Sequence, residues 1–129
     1  MSSIRPTFHH VAIIVSDLAK AAHLYGDILG LESDLRPELN FKGLFYKLGE
    51  GQQLHLMKLD NPDQSSTLPA HGGRYRHFAL SVNNLASITD KLKAEDMAFT
   101  SSRSGRAAVF FYDFDGNAIE LVQNNSNEV

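Results

Sequence analysis

The sequence contains no cysteine, which excludes a disulfide framework, a thiolate metal site and a cysteine nucleophile. Long apolar runs are missing too. The longest near the start, "VAIIV", is five residues, against ~7–15 for a secretory signal core and ~20 for a membrane-spanning helix. Net charge is slight: 12 Lys and Arg against 15 Asp and Glu leave −3, with no electrostatic footprint for nucleic acid or an anionic membrane. No glycine-rich phosphate loop, serine-nucleophile elbow or HExxH motif is present. What remains is a chain of 129 residues, 43% hydrophobic and 21% charged, the make-up of one ordinary globular domain. The expectation is a single cytoplasmic domain over 1–129 that binds neither nucleic acid nor membrane.

That chain repeats itself. "HHVAIIVSDL" (His9 to Leu18) and "RHFALSVNNL" (Arg76 to Leu85) place His10 and His77 alike, at an offset of 67. "FYKLGEGQQLHLM" (Phe45 to Met57) aligns without gaps on "FFYDFDGNAIELV" (Phe110 to Val122), at an offset of 65. Two blocks at nearly equal offsets indicate an internal duplication, with modules at about 5–60 and 74–124. Each module reads as strand, helix and three strands. Strands are expected at Phe8–Val15, Leu31–Arg36, Leu44–Leu48 and Gln53–Leu59, and again at Tyr75–Val82, Met97–Ser101, Ala107–Tyr112 and Asn117–Gln123. Helices capped at Ser16-Asp17 and Asn83-Asn84 carry the stripes Leu18, Ala21, Tyr25, Ile28 and Leu85, Ile88, Leu92. The Pro-, Ser- and Gly-containing "DNPDQSSTLPAHGG" between the modules reads as a linker.

Strand parity sorts the chemistry, because alternate side chains face opposite sides of a sheet. Val11, Ile13 and Val15, like Phe78, Leu80 and Val82, form an apolar face suited to pack beneath the helix. His10 and His77 then lie on the other face beside small Ala12 and Ala79. His55 between Leu54 and Leu56, and Glu120 between Ile119 and Leu121, take the same face and are equivalent in the duplication. Three imidazoles and a carboxylate form an N/O donor set for a divalent cation such as Zn²⁺, Fe²⁺, Mn²⁺ or Ni²⁺. His9, His23 and His71 have no symmetric partners and read as structural or solvated, with His71 able to approach the site from the linker. Arg103 and Arg106, around Gly105, are candidates to clamp a substrate carboxylate or phosphonate. Phe45, Tyr46, Phe111 and Tyr112 are candidate walls of an apolar pocket.

The motifs "FHHVAIIVSDLAKAAHLYGDILGLE", "GRYRHFALSVNNL" and "SGRAAVFFYDFDGNAIELV" resemble those of the vicinal oxygen chelate superfamily, the glyoxalase/bleomycin resistance/dioxygenase group. The resemblance implies an α+β fold in which two tandem βαβββ modules form a U-shaped, partly open barrel. It implies that His10, His77 and Glu120 are metal ligands, with His55 in the fourth position, where relatives carry glutamate or glutamine. The expected function is a metal-dependent enzyme in which the cation chelates adjacent oxygens of a small substrate, leaning to a glyoxalase I-like lyase or isomerase. Glu120 and His55 are its candidate catalytic groups. An extradiol-type dioxygenase, a thiol transferase and a non-catalytic drug-binding protein of the same fold are the alternatives. A homodimer is expected, its sites formed within one chain or by exchange across a two-fold axis.

Overall fold

The computed structural model describes residues 4–63 and 67–124, so residues 64–66 of the linker lie outside the described residues. The chain runs β1 (His10–Val15), α1 (Leu18–Ala22), β2 (Ser33–Asp34), β3 (Gly43–Lys47), β4 (Gln53–Lys58), β5 (His77–Val82), α2 (Leu85–Ala94), β6 (Thr100–Ser101), β7 (Ala108–Tyr112) and β8 (Ala118–Gln123). The duplication is visible in the topology. One four-stranded sheet is ordered β1-β4-β3-β2 and the other β5-β8-β7-β6. In each, the first and last strands of the module run parallel and the remaining pairs antiparallel. The two sheets are not closed into a barrel.

Helix starts follow the capping signals. Asp17 accepts a hydrogen bond from the Lys20 amide at 3.0 Å and Asn84 one from the Ser87 amide at 3.1 Å, each satisfying an otherwise orphaned donor. The first helix is short as an α-helix. From His23 to Ile28 it widens, with the Leu29 amide reaching back to the Leu24 carbonyl at 2.9 Å. Such a wide turn inserts one extra residue, and it lets Leu24 join Tyr25, Ile28 and Leu29 in the core.

The core joins both modules. Leu54, Leu56, Ile119 and Leu121 are wholly buried beneath Tyr25, Leu24 and Leu92, each aliphatic side chain contributing ~1.5–3 kcal/mol relative to exposure. β2 and β6 are two residues long rather than the six and five expected. Leu35 is exposed, Pro37 has no amide hydrogen to extend a ladder, and the Arg36 side chain turns back to the Phe41 carbonyl. No helix among the described residues is long and apolar enough to cross a membrane.

The modules also meet at a polar clasp. Tyr25 donates to Asp113 at 2.6 Å, and Asp113 further accepts from the Asn117 side chain and from the Asp115 and Asn117 amides, each at 2.9 Å. Burial pushes the Asp113 carboxyl up from its ordinary value, opposed by these hydrogen bonds. The Asn117 amide group donates onward to the Ile14 carbonyl at 3.0 Å, and the Ser16 amide donates to Asp115 at 3.1 Å. The far end of β1 is thereby tied to the turn that precedes β8.

Candidate functional site

Parity places the candidate donors as the sequence indicates. His10 and Ala12 occupy the face of β1 opposite the core, and register sets His55 beside Ala12 and Phe45. In the second module Glu120 stands beside Ala79 and Phe110. The imidazoles of His10 and His55 stack at 4.1 Å between centroids, 15° apart. His77 Nε2 lies 3.4 Å from Glu120 Oε1.

Outer contacts fix the nitrogen that each ring can offer. His77 Nδ1 lies 2.7 Å from the Tyr75 carbonyl, which can only accept. In a neutral ring Nε2 then carries the lone pair and faces a carboxylate oxygen, an arrangement suited to a cation between them. Gln53 Nε2 donates to Asp34 at 2.8 Å, so its carbonyl oxygen faces His55 Nε2, also at 2.8 Å. His55 Nε2 is accordingly the donor and Nδ1 holds the lone pair. Burial, and then the charges of His10, His9 and Arg36, hold His55 below the ordinary imidazole value, which keeps it neutral near pH 7. His9 and His10 contact each other through their Nδ1 atoms at 2.8 Å.

The four donors do not converge within one chain. Among the described residues no group of three or more His, Asp or Glu side chains is placed to hold a metal. The physical reason is the tie at the end of β1. Asn117 holds Ile14, and His77 pairs with Ala118 next to Asn117. His10 lies four residues upstream of Ile14, about 13 Å along a strand rising ~3.3 Å per residue. Each module carries half a donor set. A cleft of about 910 Å³ separates the open edges of β1 and β5, and of the four donors it is lined by His77 alone. It is a gap between the two sheets that does not include His10, His55 or Glu120.

Residues 7–121 match the Glyoxalase/Bleomycin resistance protein/Dioxygenase superfamily. The chain belongs to this superfamily. Human mitochondrial methylmalonyl-CoA epimerase is 30% identical over 127 residues, covering 89% of this chain and 72% of the relative. A glyoxalase family protein from Bacillus anthracis superposes with a TM-score of 0.74 at 21% identity, over 97% of this chain and 100% of that one. A variant of the fosfomycin resistance protein FosX from Listeria monocytogenes, complexed with Mn(II) and 1S,2S-dihydroxypropylphosphonic acid, superposes with a TM-score of 0.71 at 20% identity, over 97% and 98% of the two chains. These two structures share the superfamily fold.

Within that fold the secondary candidates divide. Arg106 donates to Glu120 Oε2 at 3.0 Å, while Arg103 is exposed and makes no hydrogen bond or ion pair among the described residues. Phe45 stacks on His55 at 3.6 Å between centroids. Tyr112 lies on the donor face and donates to the Pro69 carbonyl at 2.6 Å. Tyr46 and Phe111 do not wall the site. They belong to the core, 5% and 2% exposed, because each is one residue out of phase with its donor-face neighbour. Phe110 takes the place expected of Phe111, with the edges of His71 and His77 against its ring at 4.9 and 5.1 Å. His71 is also held by Thr100 at 2.6 Å, on the donor face rather than in solvent. The duplication alignment, which sets Phe45 opposite Phe110, carried that signal.

Proposed function

We propose that this chain is a metal-dependent enzyme that moves a proton at carbon next to a carbonyl of a small substrate with adjacent oxygens. Its divalent ion (Zn²⁺, Fe²⁺, Ni²⁺ or Mn²⁺) is held by His10 and His55 of one protomer with His77 and Glu120 of a second in a C2 homodimer. The observation that carries this reading is the division of an N/O donor set into two equivalent pairs, each on the open face of its own module. The kinship with an epimerase supports isomerase chemistry over the other activities of the fold. When bound, the ion supplies a Lewis acid that stabilises the oxyanion formed on proton loss. The protein's own part is positional. Gln53 and Asp34 hold His55 with Nδ1 as its single free lone pair, so that atom would hold the ion or, with the ring displaced from the ion, receive the proton taken from carbon. Arg106 holds one oxygen of Glu120 and leaves Oε1 toward His77. Phe45, Phe110 and Tyr112 line the donor face on either side of the donors.

Elemental analysis of protein purified without chelators should give one divalent ion per protomer, lost in both His77→Ala and Glu120→Ala. Full occupancy in both variants would refute the ligand assignment. Mixing His10→Ala with Glu120→Ala tests the exchange. Random pairing gives one intact site per heterodimer, about a quarter of all sites, whereas sites formed within one chain would recover none.

A further inference from the structure

Arg36 follows β2 and shares the face of Asp34, which pairs in register with Phe45. Its guanidinium crosses the surface where Gly43 has no side chain. A Cβ at Gly43 would lie 3.1 Å from both Nε and Nη2 of Arg36. Nη2 donates to the Phe41 carbonyl at 2.8 Å, and Cζ sits over the Phe41 and Phe45 rings at 5.1 and 5.9 Å from their centroids. Phe45 in turn stacks on His55. Yet the group is incompletely satisfied. Nε is buried without a hydrogen-bond partner, and among the described residues no carboxylate lies within ion-pair distance of Arg36. An unmatched buried donor costs ~1–3 kcal/mol, and with Nη2 on the Phe41 carbonyl and Nε covered, Nη1 is the donor that this fixed guanidinium, free of any carboxylate, presents to an oxyanion. Arg36 also lines a depression of about 550 Å³ with Asn40, Lys42 and Glu38, where two cations face one anion.

We propose that Arg36 is an oxyanion-binding residue that receives a carboxylate or phosphate group at the rim of the His10–His55 face. The site holds the charged end of the substrate while the other end reaches the metal-binding pair. Only this second clause rests on the function proposed above. Lys42 adds charge at the rim, and the two aromatic rings keep the guanidinium flat and aimed.

The test uses the metal-free full chain and follows the Arg36 Nε–Hε resonance by NMR during titration with inorganic phosphate, acetate and glycerol. Phosphate or acetate is expected to shift that resonance saturably, the tighter of the two identifying the anion class, and neutral glycerol to leave it in place. Binding followed on the amides of residues 40–43 is expected to weaken at least tenfold in Arg36→Gln and Arg36→Met and only partly in Arg36→Lys. Arg36→Met retains the contact with both rings and is expected to melt no lower than the wild type, which separates loss of binding from loss of fold. Affinities within twofold of wild type in Arg36→Gln would overturn the assignment. So would equal shifts with glycerol, or anion binding that disappears in Arg106→Gln alone. Manganese uptake measured on the same variants by electron paramagnetic resonance is expected to be unchanged, so failure of the metal reading and failure of the anion site give different results.

Discussion

Tyr25→Phe removes one oxygen from the clasp between the modules and nothing else. Tyr25 is wholly buried, its hydroxyl donates to Asp113 at 2.6 Å, and Asp113 is 7% exposed. Burial and the neighbouring carboxylate push the phenol pKa well above its ordinary value, so the hydroxyl remains a donor across the working pH range. Its removal leaves a buried carboxylate with three of its four donors. A hydrogen bond to a charged group contributes ~1.5–3 kcal/mol. At roughly 2.1 cal/mol/K per residue, a chain of this length should melt about 5–11 °C lower. Urea unfolding followed by circular dichroism, at fixed protomer concentration because association shifts the midpoint, should show the loss with an unchanged slope. A cycle with Asp113→Asn should give a coupling of at least ~1 kcal/mol between the two side chains. A loss below ~0.5 kcal/mol, or additive single changes, would refute the view that this contact holds the modules in place.

Gly43→Ala puts a Cβ 2.3 Å from the Leu56 carbonyl, so β3 must move off β4; calorimetry should record a loss of about 1–3 kcal/mol, in the range of overpacked cores. His23 bonds to Glu95 and Asp27, and chiefly the Glu95 hydrogen bond raises its pKa from 6.5. The stability advantage of wild type over His23→Gln should therefore be full below pH 6.5 and vanish as pH rises through the raised value, as read from urea midpoints across pH. This exposed pair should respond to salt as well. Gln53→Leu removes the group that fixes the His55 tautomer; nitrogen NMR of the ring should change from a single Nε2–H form to a mixture, and retention of the single form would show that Gln53 does not set it.

Strand period carried most of the legible information. Alternation around His10, His55, His77 and Glu120 assigned each to the correct face, and Asp17 and Asn84 marked the helix starts. Tyr46 and Phe111 were misplaced because adjacent aromatics in "FYK" and "FFY" defeat a hydrophobicity pattern: both members of each pair suit a strand, and only register decides which turns inward. Asp113 could not be found from its neighbours, since its donor Tyr25 stands 88 residues away. Arg36 escaped for a similar reason. A charged residue before Pro37 reads as a solvated strand end, and its seat exists only because Gly43 from the next strand lies beneath it.

The clasp at the end of β1 has a consequence for how a cation would be acquired. With two donors on each module and no three of them brought together among the described residues, a lone protomer can offer an ion only bidentate ligation. Under the exchanged arrangement, the tight site comes into being with the second subunit. Metal uptake and subunit association are then linked equilibria. The ion acts as a fastener, its apparent affinity rises with protomer concentration, and a chelator becomes an agent of dissociation.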